Sequence, residues 1–83
     1  MHYIIMCRSL TCAQRTAKTL ERAGMPAYVL RPPAAMSENG CSYGVKIRER
    51  YFSAALDIMS RMPLKHGKIY SVQKDGSFGE VRL

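Results

Sequence analysis

Residues 43–49 read Tyr-Gly-Val-Lys-Ile-Arg-Glu, a stretch in which apolar and charged side chains alternate. A period of two residues is typical of a β-strand with one buried face and one face in water. Val45 and Ile47 are therefore predicted to face the core, and Lys46 and Arg48 to face solvent. The alternation makes this strand the reference for the rest of the fold.

The same patterns extend along the chain in both directions from this strand. They predict further strands and two helices, namely strands at 2–8, 27–31, 68–73 and 78–82, with helices between Thr11 and Gly24 and over 51–62. A Thr11-x-x-Gln14 capping box is predicted to open the first helix, and Gly24 is predicted to end it.

This order of elements is βαββαβ, followed by a hairpin strand after the turn signal Asp75-Gly76-Ser77. It predicts an α+β fold, a ferredoxin-like βαββαβ sandwich with a short C-terminal hairpin strand, in a single domain over 1–83. With right-handed crossovers, the four main strands are expected to be antiparallel in the order 4-1-3-2. At 47% hydrophobic residues, the chain can fill a core.

Composition limits the partners and the compartment. Thirteen basic and six acidic side chains give a net charge of +7, which indicates nucleic acid or an acidic protein surface as partner, or a basic surface without one. No apolar run approaches the ~20 residues of a membrane span, and no signal-peptide pattern opens the chain, so a cytoplasmic protein without membrane contact is expected. Three cysteines, an odd number, argue against a secreted disulfide framework.

One of the cysteines, Cys41, stands in the longest irregular stretch of the chain, between Gly40 and Gly44. A thiol on a polar, glycine-flanked loop is predicted to be exposed and reactive, because loops on a compact scaffold often carry the chemistry. Cys7 lies in the first strand and is predicted to be core, and Cys12 to be half-buried. The Cys7-x4-Cys12 spacing matches no usual zinc motif, so no metal site is expected.

The predicted topology brings three connections to one end of the sheet, and one of them is the Cys41 loop. The polar or basic side chains predicted to stabilise an anion there are Arg8, Ser9, Thr11, Arg31 and His66. The helix N-terminus and the two arginines would hold the pKa of the Cys41 thiol below its ordinary value of about 8.5, and His66 would relay protons. In the alternative interpretation, Arg8 and Arg31 only terminate strands, and His66 is a turn residue.

Several segments resemble the sequence pattern of a known protein family, namely Ser9-x-Thr11-x-Ala13, Leu30-Arg31-Pro32-Pro33 and Met36-Ser37-x-x-Gly40-Cys41. Through them the chain resembles a small bacterial domain family described as selenium/sulfur carrier-like. Ser42 stands where that family usually has glycine.

The resemblance implies a thiol-based carrier that holds reduced sulfur or selenium on Cys41 as a persulfide or selenenylsulfide, in a cytosolic chalcogen relay. As partners it implies a cysteine desulfurase or another sulfur or selenium donor protein, and an acceptor protein. It implies no cofactor, and a carrier rather than an enzyme.

The competing hypotheses are a basic nucleic-acid-binding module and a protein-interaction module. RNA-recognition domains share the βαββαβ order, but aligning Gly44 with their RNA-binding motif would turn Lys46 and Arg48 towards the helices, which is costly. That argues against nucleic acid bound in this way, while contact through a basic open face stays open. Ile4 and Met6 are predicted to lie on the open sheet face, covered by the C-terminal hairpin or by a partner subunit, as in a homodimer.

Overall fold

The computed structural model describes residues 1–33, 43–61 and 66–81. Within these ranges the chain forms a small α+β domain with a five-stranded antiparallel sheet and two α-helices. The elements in chain order are β1 (His2–Cys7), α1 (Leu10–Arg22), β2 (Tyr28–Leu30), β3 (Tyr43–Arg48), a 3₁₀ turn (Glu49–Tyr51), α2 (Phe52–Arg61), β4 (Ile69–Val72) and β5 (Phe78–Val81). None of the helices in this part of the chain is long and apolar enough to cross a membrane.

The strand order across the sheet is β2-β3-β1-β4-β5, and every neighbouring pair is antiparallel. The first four strands therefore stand in the order expected from the sequence, and β5 extends the sheet beyond β4. The strand β1 is central because it is apolar on both faces, so it can be buried from two sides.

Both helices contribute to a single core on one face of the sheet. Ile5 of β1 and Val45 and Ile47 of β3 are buried there, together with residues of both helices, among them Ala13, Leu20, Ala55 and Met59. Lys46 pairs with Ile4 and lies on the opposite face. The alternation in β3 therefore predicted the correct side of the sheet for each residue.

The start of α1 corrects the predicted capping box. The helix begins at Leu10, and its cap is Ser9, whose Oγ accepts a hydrogen bond from the backbone nitrogen of Cys12 at 3.1 Å. Thr11 lies inside the first turn, so the Thr11-x-x-Gln14 pattern does not cap the helix. Ser9 has extended backbone dihedrals, the geometry that an N-cap requires.

The end of α1 confirms the predicted stop at Gly24. This residue has φ of +86°, a left-handed conformation that glycine adopts without penalty. The backbone nitrogens of Gly24 and Met25 donate to the carbonyl oxygens of Glu21 and Leu20, at 2.9 and 3.0 Å. This is the Schellman arrangement, which leads the chain sharply from α1 towards β2.

The second helix begins later than predicted. The 3₁₀ turn occupies 49–51, and α2 starts at Phe52, whose ring stacks on that of Tyr3 with centroids 3.7 Å apart. The stack holds the start of α2 against β1. Ala55 and Met59, one helical turn apart, are buried as the spacing requires.

The open face of the sheet has a second apolar cluster, formed by Ile4, Met6, Tyr70 and Val72 with Leu30 beside it. Ile4 and Met6 are only 4% and 1% exposed in the single chain, so a partner subunit is not needed to bury them. The hairpin strand β5 lies next to β4, and the ring of Phe78 in β5 meets the ring of Tyr70 edge-to-face, with centroids 5.6 Å apart. The hairpin therefore borders this cluster at Tyr70, and a homodimer over this face stays a prediction.

Candidate functional site

One end of the sheet gathers the connections that carry the predicted site residues. Cys7, the last residue of β1, pairs with Tyr43, the first residue of β3. Just before β4, the backbone nitrogen of Gly67 donates a hydrogen bond to the carbonyl oxygen of Met6 at 2.7 Å. The end of β1 and the starts of β3 and β4 therefore meet, and we call this the site end of the sheet.

Arg31 reaches the site end from the edge strand. It follows β2, whose last residue Leu30 pairs with Gly44. One guanidinium nitrogen of Arg31 donates to the hydroxyl oxygen of Tyr43 at 3.4 Å, and the guanidinium carbon lies 5.5 Å from the centre of the Tyr43 ring. The ring of Tyr43 thus holds a cation at the site end by a cation–π contact and a hydrogen bond.

Tyr43 is a residue that sequence reasoning missed. Its place in the alternation of β3 marks it as core-facing, and its ring does pack against the main core. The contact with Arg31 depends on the pairing of β2 with β3 across twelve residues of sequence. One signal in the sequence would have indicated this contact. An aromatic residue begins a strand, and an arginine directly follows the strand next to it.

The N-terminus of α1 also lies at the site end, because the helix begins three residues after Cys7. Its first turn contains no acidic side chain, so the partial positive charge of the helix end is not neutralised within that turn. The Ser9 hydroxyl already accepts the capping hydrogen bond, which gives Ser9 a structural role. Thr11 is exposed in the first turn.

Arg8 and His66 are both exposed. Arg8 directly follows β1 and forms no ion pair within the described residues. The Nδ1 atom of His66 lies 2.7 Å from the carbonyl oxygen of Gly67, its neighbour in the chain. The structure therefore brings Arg8, Arg31, Ser9 and Thr11 to the same end as His66, whose ring makes a local hydrogen-bond contact with its neighbour Gly67.

The predicted reactive residue, Cys41, lies outside the described residues. The other two cysteines are where the sequence placed them: Cys7 is buried in the main core, and Cys12 is half-buried against it. In the described ranges, no group of histidine, cysteine, aspartate and glutamate side chains could hold a metal ion.

Residues 2–71 match the model of a protein family described as "Putative Se/S carrier protein-like". The chain belongs to this family. The match confirms the resemblance drawn from the sequence, and it runs from the start of β1 into β4, with the site end and Cys41 included. No curated protein and no solved structure matches the Se/S carrier-like chain.

Proposed function

We propose that this Se/S carrier-like domain is a thiol-based carrier of reduced sulfur or selenium, held as a persulfide or selenenylsulfide on Cys41. The observation that supports it most directly is the family match over residues 2–71, which includes Cys41. The domain acts as a relay in the cytosol between a donor protein, such as a cysteine desulfurase, and an acceptor protein.

The charges at the site end support the choice of Cys41. Cys41 precedes Tyr43 by two residues in the sequence, and two residues of chain span at most about 7 Å. Tyr43 holds the guanidinium of Arg31, and Arg8 follows the neighbouring strand end. Positive charge near a thiol favours its thiolate, which is the form that attacks sulfur.

The transfer needs no other reagent. The Cys41 thiolate attacks the outer sulfur of a persulfide on the donor's cysteine. A new S–S bond forms on Cys41 while the donor's S–S bond breaks, and the donor's cysteine leaves as a thiolate. No electron is gained or lost overall, so neither oxidant nor reductant is required. With selenium, the outer atom is selenium and the bond changes are the same.

The fold is suited to a relay. The βαββαβ order with a fifth edge strand, and both helices packed on one face, supports a ferredoxin-like arrangement. In this arrangement Arg31 and the start of α1 come from connections far apart in sequence, yet the strand pairing fixes them at one end.

Intact-mass analysis tests the proposal. The protein is incubated with a cysteine desulfurase and cysteine, and the mass is measured without reducing agent. We expect the mass of one added sulfur, located on Cys41 by peptide mapping and absent from Cys41→Ser. Cys12→Ser is the matched control and is expected to load normally. Sulfur located on Cys12, or no added sulfur in the wild type, would overturn the proposal.

A further inference from the structure

The outward face of α1 carries a row of basic side chains. Successive helical residues are rotated by about 100°, so Arg15, Lys18 and Arg22 fall with Thr11 in an arc of about 60°. The arc points directly away from the buried side of the helix, which consists of Ala13, Thr16, Ala17 and Leu20. All three basic residues are exposed. We call Arg15, Lys18 and Arg22 the basic ridge.

The spacing of the basic ridge works against the stability of the helix, although Arg22 lies in the last turn, where a cation is favourable. Its members are three and four residues apart, a spacing at which like charges repel by a few tenths of a kcal/mol per pair. None of them forms an ion pair with another described residue, although Glu21 lies on the flank of the same helix. The other helix shows the stabilising pattern, with Asp57 and Arg61 paired at 2.9 Å.

The position of the ridge connects it to the site end. It runs along α1 from Thr11, in the first turn, and Leu10 at the helix start is an exposed apolar side chain, 42% accessible. Leu10 falls about 110° from the middle of the ridge, on the flank of the helix. A partner lying along the ridge towards Thr11 would therefore approach the site end.

We propose that the basic ridge is the docking surface for an acidic patch on the protein that donates the sulfur or selenium. The inference rests on the proposed function, since a carrier must place its thiol against the donor's cysteine. A protein partner fits better than nucleic acid because α1 contains no aromatic side chain on which bases could stack. Such a surface speeds the encounter of the two proteins, and salt screens it.

The test compares two matched pairs of charge reversals. Arg15→Glu/Lys18→Glu alters the ridge, and Lys46→Glu/Arg48→Glu makes the same change in net charge on the opposite side of the sheet. Sulfur transfer from a persulfide-loaded cysteine desulfurase is followed at low salt and with increasing salt. We expect the ridge pair to slow transfer about tenfold or more at low salt, and the control pair less than about threefold.

Two further measurements and one substitute variant separate the outcomes. Loading from glutathione persulfide should be equal in the wild type and both pairs, because a small donor needs no docking surface. Circular dichroism checks the fold, and the neutral pair Arg15→Gln/Lys18→Gln replaces the ridge pair if that pair does not fold. No loading of the wild type from glutathione persulfide contradicts the proposed function itself.

The ridge inference alone is overturned if glutathione persulfide loads Cys41 normally but the two pairs slow the enzyme-dependent transfer equally, or not at all. A wild-type transfer rate that does not fall with added salt also contradicts it. A third outcome would also contradict the ridge inference: the ridge pair no longer binds a single-stranded oligonucleotide at physiological salt, yet it transfers sulfur at the wild-type rate. The ridge would then be a nucleic-acid-binding surface.

Discussion

At the scale of single residues, the cysteine thiols differ in how accessible they are to water. The chain has three cysteines. Cys7 is fully buried between the sheet and the helices, and Cys12 is half-buried in the first turn of α1. Cys41 stands among polar and glycine residues in the sequence. Access to water should therefore rank the three thiols, since the thiolate must be reached before it can react.

We expect Cys41 to be alkylated first, Cys12 more slowly, and Cys7 only when the protein unfolds. Limited labelling with iodoacetamide followed by peptide mapping measures the order. Labelling in denaturant is the control, because the three thiols should then react at similar rates. If Cys12 or Cys7 is labelled first in the folded protein, the carrier proposal loses its central residue.

Gly44 is a position where the structure has no room for a side chain. A Cβ added to Gly44 would lie 2.6 Å from Cγ2 of Ile4, which stands two residues along β1 from Met6, the pairing partner of Gly44. That methyl group sits on a β-branched carbon and cannot swing away freely. Gly44→Ala is expected to lower the free energy of unfolding by about 1–3 kcal/mol, measured by urea denaturation.

Gly79 is the matched control for this substitution. It lies in the exposed edge strand β5, and a Cβ there would meet no atom within 4 Å. Gly79→Ala should change the free energy of unfolding by less than about 0.5 kcal/mol. Equal losses in the two variants would show that the contact with Ile4 does not matter.

His2 should make stability depend on pH. Partial burial, then the neighbouring Lys46 and the N-terminal amine, lower the pKa of His2 in the folded protein from its ordinary value of 6.5. As the pH falls through about 6.5, the unfolded chain therefore takes up a proton before the folded protein does, and stability decreases. We expect His2→Gln to reduce this loss as the pH falls below about 6.5, with no effect of His2 protonation well above that value. An identical pH dependence of the melting temperature in both proteins would contradict the assignment.

At the scale of elements, the first turn of α1 decides where the helix begins. Ser9 and Thr11 are both residues that commonly cap helices, and only Ser9 makes the capping hydrogen bond. Ser9→Ala is expected to cost about 1 kcal/mol of unfolding free energy. Thr11→Ala, in the same turn, should cost less than about 0.5 kcal/mol, because alanine is the better helix former. Thermal or urea denaturation measures both losses. If Thr11→Ala loses more unfolding free energy than Ser9→Ala, Thr11 caps the helix, as the capping box predicted.

At the scale of the whole molecule, the sheet divides the positive charge. Lys46 and Arg48 belong to the open face of β3, whereas the basic ridge lies on the helix side. The two sets lie on opposite sides of the sheet, so no single groove gathers both of them. Positive charge divided in this way attracts polyanions in general but does not form a dedicated nucleic-acid-binding site.

We therefore expect weak binding to single-stranded RNA or DNA that falls steeply as salt is raised from about 50 to 200 mM. Fluorescence anisotropy with a labelled oligonucleotide measures it. Cys41→Ser is the control, and it should keep both the fold and this weak affinity while losing sulfur loading. Sequence-selective RNA binding that persists at physiological salt, with no loading of the wild type, would favour the nucleic-acid-binding alternative.

The sequence by itself determined the elements and the side of the sheet that each strand residue faces. Strand alternation placed Val45 and Ile47 in the core and Lys46 on the open face, and helical spacing identified the buried side of α1. These features are predictable because they are local: a strand or helix must turn its apolar side away from water, whatever it packs against. The family could also be recognised from the sequence, and the match over residues 2–71 confirms it.

Only the tertiary structure decided which residues meet. The contact of Arg31 with Tyr43 and the crowding of Gly44 by Ile4 both depend on strand pairing between distant segments. So does the burial of Ile4 in the single chain, where it packs in a cluster with Met6, Tyr70 and Val72. Periodicity indicates a face but not a neighbour, because the neighbour is fixed by the register of several strands at once.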